Sequence, residues 1–358
     1  MSRPPRAAPC VAGAGALTRR VLLGGLGAGM AAPALLSGRA RAREVRDATG
    51  RTLTLPERPG KVLAAGPPAA VLLYVLAPEA MAGWPRAPRA QDRPYLDARA
   101  AALPELGRLT GRGDTVNLEA LLAAAPDLIL DVGSVSATYL SLAERVQAQT
   151  GIPYALIDGS FANTPAALRQ LGALLGRPER GAALAAYAQE TFTHVDAVLA
   201  RVPEAQRPSV YLARGPEGLE SAPRGSLNAE IIERAGGRNV VEGGGRGLVT
   251  VSPEQVIAWA PDTIVTIDPV FAAEVGARPL WRDVPAVAHG RVFLAPSRPF
   301  GFIDRPPSVN RLIGLRWLLH AFYPGQAGPD PTQEVRDFYA LFYGVDLDRP
   351  ALATVLGR

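Results

Sequence analysis

Val116–Leu130 reads VNLEALLAAAPDLIL, and Val251–Val265 reads VSPEQVIAWAPDTIV. The two stretches are one phrase written twice. Each opens on Val and a small polar residue and carries a carboxylate at its fourth position (Glu119, Glu254). Each then reaches Ala-Pro-Asp (Ala125-Pro126-Asp127, Ala260-Pro261-Asp262) and ends in an apolar run. The pattern predicts a short helix, a break and a buried strand. Asn117 or Ser252 caps the helix, and an acid in the first turn suits its dipole. Pro253 fits the first helical position. The copies lie 135 positions apart, too far for a solenoid repeat. The spacing fits two similar α/β lobes in one chain, which would work at the gap between them.

Working outward, strands and helices alternate on both sides of the phrase. Arg46–Leu55 alternates around Thr49-Gly50 and reads as an opening hairpin. A buried strand is expected at 62–65, a helix at 69–76 after Gly66-Pro67-Pro68, a helix at 137–150 and a strand at 154–158. Strands alternating with helices indicate parallel β-α-β layers. A helical tract without strands follows. One helix covers 166–175, and another starts at Pro178 and could run to Val202. At 1.5 Å per residue the second spans roughly 37 Å, about the width of a lobe, so it reads as a stiff strut. A second set follows: a strand at 210–213, a helix at 226–234, the second copy of the phrase, a strand at 292–294, and helices at 308–322 and 332–343. The glycines between Gly236 and Gly247 have neither dinucleotide-binding nor Walker spacing and read as a loop.

The composition removes several function classes. The chain has 358 residues and a net charge of +5. Its first 42 residues hold six Arg and no acid; without them 32 basic residues face 33 acidic ones. No basic stripe survives that would bind nucleic acid. Thr18-Arg19-Arg20-Val21-Leu22-Leu23, the weakly apolar stretch to Leu36 and Ala40-Arg41-Ala42 form a twin-arginine export signal with cleavage near Ala42. Cys10 precedes the apolar stretch, so it is no lipid anchor, and the mature chain has no cysteine for a disulfide, thiolate site or nucleophile. No later stretch is long and apolar enough to span a bilayer.

The order of parts resembles the periplasmic substrate-binding proteins of the iron-siderophore and vitamin B12 class, the helical-backbone type that serves ABC importers. The matching pieces are Lys61-Val62-Leu63 with Gly66-Pro67, Asn117-Leu118-Glu119 with Pro126-Asp127, and the strut helix. Gly225-Ser226-Leu227-Asn228 with 235–240, and Ser252-Pro253-Glu254-Gln255 with Pro261-Asp262, complete the set. It covers residues 44 to 345. The resemblance implies an α/β fold of two Rossmann-like lobes with central, mostly parallel sheets, joined by one long rigid helix. The divisions are then 1–42 (signal), 43–160 (N-terminal lobe), 161–205 (linking helices) and 206–358 (C-terminal lobe). It implies a soluble, monomeric periplasmic protein without catalysis that delivers a ligand to an ABC permease/ATPase complex. It also implies that Glu119 and Glu254 dock onto permease arginines; as a simpler alternative, each glutamate only caps its helix.

The ligand chemistry is read from residues on loops facing the cleft. His194, His289 and His320 are too far apart to hold a bare ion with a carboxylate, so no metal is expected to be ligated directly and no cofactor is expected. Positive charge and donors would instead hold an anionic complex. Pro67 precedes a helix start, whose free amides attract anions. Arg86 and Tyr95 follow Trp84, Tyr139 starts a helix after a strand, Arg214 follows the strand at 210–213, and Arg224 opens a helix with Gly225-Ser226. The densest segment is Arg298–Pro307, with Arg298, Phe300, Phe302, Asp304 and Arg305. Arg forks suit carboxylates, catecholates and oxyanions, and aromatics cover flat chelates. A ferric siderophore or similar anionic chelate is the first expectation. The alternatives are molybdate or tungstate, or another complex such as haem, cobalamin or a nickel or cobalt chelate. An exported α/β enzyme is a remote third, without a nucleophile elbow or a His-Glu metal motif.

Overall fold

The computed structural model describes residues 42–111, 123–243, 247–328 and 330–358. The export segment up to Arg41, and Asn117 and Glu119 of the first copy of the phrase, lie outside the described residues. The described residues all fall in one compact unit, Ala40–Arg358.

An opening hairpin forms around Thr49-Gly50, but its first strand lies earlier than the expected span: β1 is Ala42–Arg46 and β2 is Thr52–Pro56. Two parallel sheets follow. The first pairs β3 (Val62–Ala64), β4 (Leu128–Gly133) and β5 (Tyr154–Asp158), with β4 central. The second contains β6 (Ser209–Ala213), β8 (Arg238–Asn239), β10 (Thr263–Thr266) and β11 (Val292–Leu294), in the order β11-β10-β6-β8. A small antiparallel pair, β7 (Glu220–Ser221) with β9 (Val249–Thr250), alternates in the chain with the strands of the second sheet.

Side-chain alternation gives each sheet two apolar faces. In the first, Leu63, Ile129, Tyr154 and Leu156 point to a small private core, while Val62, Ala64, Leu128, Leu130, Ala155 and Ile157 point to a large one. In the second, Tyr211, Ala213 and Ile264 face another private core, and Val210, Leu212 and Val265 join the same large one. This is the near-continuous apolar strand expected of parallel sheets covered on both sides. The large core is common to both sheets, so the lobes are packed through it.

The strut is the helix Pro178–Leu199. Gly181, Leu184, Ala185, Ala188, Thr191, Phe192, Val195 and Val198 form its buried stripe, at helical spacing. It ends three residues before the expected Val202, and its 22 residues span about 33 Å. It packs on the helix Thr164–Leu174, where Gly172 and Gly181 meet so closely that a Cβ on Gly172 would lie 2.6 Å from the Cα of Gly181. Two expected helices begin late: the first runs Glu230–Arg234, and the second runs Arg311–Phe322 because Ser308 is committed to a contact outside it. The last expected helix is α-helical over Thr332–Phe338 and widens to a π-turn over Tyr339–Tyr343.

The repeated phrase folds alike in both places where it is described. Ala125 and Ala260 both adopt the left-handed conformation, with φ of +41° and +44°. The following Asp then clamps the start of the neighbouring strand. Asp127 Oδ2 accepts from the amides of Gly60 (2.7 Å) and Lys61 (2.9 Å), just before β3. Asp262 Oδ2 accepts from the amide (2.9 Å) and hydroxyl (2.6 Å) of Ser209, the first residue of β6. In the second copy Ser252 and Gln255 form a capping box, with Pro253 at the first helical position.

Candidate functional site

In open α/β sheets, ligands bind beyond the carboxyl ends of the strands. Three such ends meet the chain segment 304–311. Gly66-Pro67-Pro68 follows β3, and Ser308 Oγ donates to the Pro68 carbonyl at 2.9 Å. Gly159 follows β5, and its carbonyl accepts from Arg311 Nη2 at 3.4 Å. Arg214 follows β6 and pairs with Asp304. The segment thus lies between the ends of both sheets.

Asp304 is the hub of this junction and is only 2% exposed. It pairs with the buried Arg214 guanidinium, which also reaches Glu220 at 3.2 Å. Asn228 Nδ2 donates to both Asp304 oxygens at 3.0 Å. The amide of Arg305 donates to Oδ1 at 2.7 Å. Arg305 itself has φ of +64° and an exposed side chain. A left-handed arginine is costly unless its surroundings over-determine it. Here the Asp304 contact and a Gly301 amide bond to the Arg305 carbonyl (3.3 Å) do so.

A second buried charge ties the lobes behind this segment. Arg311 donates to Glu230 Oε1 at 2.8 Å and to the Leu227 carbonyl at 2.9 Å, and lies 4.4 Å from the centre of the Phe161 ring. Glu230 in turn accepts the amide of Phe161, the first residue of the linking segment, at 3.1 Å.

The other expected site residues take several positions. Pro67 and Pro68 occupy the first two helical positions of Pro67–Leu76, so neither offers an amide hydrogen, and Ala69 is the first residue that does. The helix end keeps its dipole but has lost two of the donors expected there. Phe302 is fully buried in the shared core against the helix Arg311–Phe322. Phe300 is half-buried, with its ring 6.1 Å from Trp84 and 5.6 Å from Tyr343. Tyr95 is buried edge-on to Tyr339, whose hydroxyl donates to the Arg298 carbonyl. Tyr139 packs on the private core of the first sheet. Arg224 is exposed and donates to the Asn239 carbonyl at 2.9 Å; Arg86 is exposed. Arg214, Asp304 and Arg305 are therefore brought together, with Pro67 next to the Pro68 carbonyl that Ser308 of the same segment meets, while Tyr139 and Arg224 are placed elsewhere. Asn228, Ser308, Glu230 and Arg311 were not singled out as site residues. Asn228 stood within a recognised motif, but nothing in its spacing pairs it with Asp304, 76 residues away.

Glu254 is fully exposed in the first turn of the helix Pro253–Trp259, and the Ser252 hydroxyl lowers its pKa. Within the first sheet, Asp131 is buried and accepts from Thr110 Oγ1 (3.0 Å) and Tyr154 Oη (3.1 Å). Burial nevertheless raises its pKa, and that of Tyr154 with it. Among the described residues no group of three His, Cys, Asp or Glu could hold a metal ion, and no helix is long and apolar enough to cross a membrane. A surface hollow of about 420 Å³, lined by Phe293, Trp317, His320 and Arg358 among others, includes none of the expected site residues.

The profile of a family described as periplasmic binding protein matches residues 75–299. The fold is similar to a solved ABC transporter solute binding protein from Sulfurospirillum deleyianum, at 30% identity and a TM-score of 0.81, covering 88% of this chain and 99% of that one. It is also similar to the molybdate-bound structure of the periplasmic binding protein MolA of Haemophilus influenzae, at 20% identity and a TM-score of 0.71, covering 86% and 99% of the two chains. In sequence, 143 residues are 28% identical to that molybdate-binding protein, which is 38% of this chain. The match spans 39% of the curated relative's length.

Proposed function

This chain belongs to the periplasmic binding protein family, and from that premise we propose that it is the substrate-binding component of an ABC importer. It captures an anionic metal species in the interlobe cleft and hands it to an inner-membrane permease/ATPase complex. It acts as a monomer, without catalysis or a resident cofactor. The segment 1–42 directs export by the twin-arginine route, 43–160 and 206–358 form the lobes, and 161–205 links them.

The observation that carries this reading is the junction at 304–311. The buried Asp304 is compensated by Arg214, and the exposed charge beside it is Arg305. A guanidinium held on a constrained backbone between two sheet ends suits an anion. A ferric chelate or a compact oxyanion such as molybdate would both meet that charge. The withdrawal of Phe302 and Tyr95 into buried packing favours the compact oxyanion, because a flat organic chelator needs exposed rings to cover it. The partial sequence match to a molybdate-binding protein supports the same choice. Calorimetry of the mature chain with molybdate, tungstate and ferric catecholate tests the assignment. Molybdate or tungstate is expected to bind and to weaken sharply in Arg305→Gln. Tight chelate binding without oxyanion binding would reverse the preference.

Glu254 and Glu119 are assigned to permease docking. Exposed rim charges orient a partner while adding little affinity. Glu119→Ala with Glu254→Ala is expected to abolish uptake and leave ligand affinity intact; unchanged uptake would defeat that assignment.

A further inference from the structure

The junction contains a carboxylate in an unexpected place. A buried acid beside an anion seat opposes the ligand unless it serves another purpose. Each oxygen of Asp304 is committed: Oδ1 to Asn228 and the Arg305 amide, Oδ2 to Asn228 and the Arg214 guanidinium. None of these contacts leaves the carboxylate free to meet a ligand or a metal. Three of its partners come from separate parts of the second lobe: Arg214 from the end of β6, Asn228 from the turn before the helix Glu230–Arg234, and Arg305 from the adjoining loop.

From this geometry we propose that Asp304 is a positioning residue for anion capture. It holds the Arg305 backbone in its left-handed conformation and so directs the Arg305 guanidinium into the cleft, while Arg214 cancels its charge. The inference rests on the reading of the cleft as an anion site. Three contacts support it. The Arg305 amide bond to Oδ1 at 2.7 Å acts on the strained residue itself. The Gly301 amide holds the carbonyl of that residue, and a Cβ on Gly301 would strike the Asp304 carbonyl oxygen, so the turn admits little else there. Ser308 fixes the far side of the segment to Pro68. A residue so constrained pays its ordering cost before the ligand arrives, which is how preorganisation raises affinity.

A double-mutant cycle on the mature chain separates positioning from simple structural support. Molybdate is the probe in calorimetry, with hydrogen exchange of the peptide containing Arg305 as the second readout. Asp304→Asn keeps the shape and removes the charge. It is expected to weaken molybdate binding about tenfold in the wild-type background and to have no further effect in the Arg305→Gln background. The Arg305 amide is expected to exchange faster in Asp304→Asn. Equal weakening in both backgrounds overturns the proposal, as does unchanged exchange at Arg305. If the wild type binds neither molybdate nor tungstate, the oxyanion reading fails, and the exchange measurement still decides whether Asp304 positions Arg305.

Discussion

The two copies of the repeated phrase form the same frame and then diverge. In each, a left-handed Ala precedes Pro-Asp, and the Asp clamps the start of the adjacent parallel strand. Four residues beyond that Asp the lobes differ. The first lobe buries Asp131 between Thr110 and Tyr154; the second places Thr266 at the corresponding position, also fully buried. At the strand ends the contrast reverses. The first lobe presents Pro67 and Pro68, without amide hydrogens, whereas the second presents Arg214, Asp304 and Arg305. Duplicated architecture therefore left the frame common and allowed charge to be placed independently. The first lobe buries a carboxylate within its sheet, and the second places its charged residues beyond its strand ends.

The strongest challenge to a two-lobe description is Arg311, which bonds both. Arg311→Ala leaves Glu230 facing Phe161 without its partner and is expected to cost about 3–5 kcal/mol. Urea denaturation of the mature chain should show one cooperative transition at lower midpoint; two separate transitions would mean that the lobes fold independently of the shared core.

A smaller effect separates the two lobes. Asp131→Ala strands the Thr110 and Tyr154 hydroxyls in the core and is expected to cost about 2–3 kcal/mol. Asp262→Ala removes a solvent-facing clamp and is expected to cost no more than about 1 kcal/mol. Equal losses in chemical denaturation would erase the distinction between a charged core and a charged rim.

The same two acids should respond to pH in opposite senses. Burial raises the Asp131 pKa, and its hydrogen bonds only partly offset this. Its contribution is therefore full below the unfolded carboxylate pKa of about 3.9 and is lost as pH rises through the folded value. Burial also pushes Asp262 upward, but the Ser209 hydroxyl and amide outweigh it and the net shift is downward. Its contribution is present above the unfolded value and is lost as pH falls through the folded one. Stability measured against Asp131→Asn and Asp262→Asn should thus move in opposite directions on acidification, and parallel movement would contradict this.

The smallest expected effect tests what the copies share. Gly accepts a left-handed backbone more readily than Ala, so Ala125→Gly and Ala260→Gly should each stabilise by roughly 0.5 kcal/mol. A gain at one position and a loss at the other, read from thermal midpoints, would show that the two turns are not equivalent.

The alternation of apolar strands and helices, the strut and the duplicated phrase were all readable from the chain, because local periodicity, caps and Pro-Asp breaks act within a few residues. Helix starts were less legible. Ser226 and Ser308 resemble helix caps in sequence, but each lies in the turn ahead of the observed helix, and Ser308 is committed to Pro68. The loop 298–307 stood out by composition, yet composition alone did not tell which of its side chains face inward. Phe302 is buried and Arg305 is exposed because the turn at Gly301 and the packing against Gly314 orient them.

By itself the sequence determined the α/β class, the internal duplication and the concentration of arginines and aromatics in one late loop. Only the tertiary structure decided that Asp304 is neutralised by Arg214 and hydrogen-bonded by Asn228, and that Arg311 joins the lobes. The physical reason is distance along the chain. Secondary structure follows from neighbours a few positions apart, whereas Asp304 meets Arg214 and Asn228, and Arg311 meets Glu230, across 76 or more residues that only the folded chain brings within hydrogen-bonding reach.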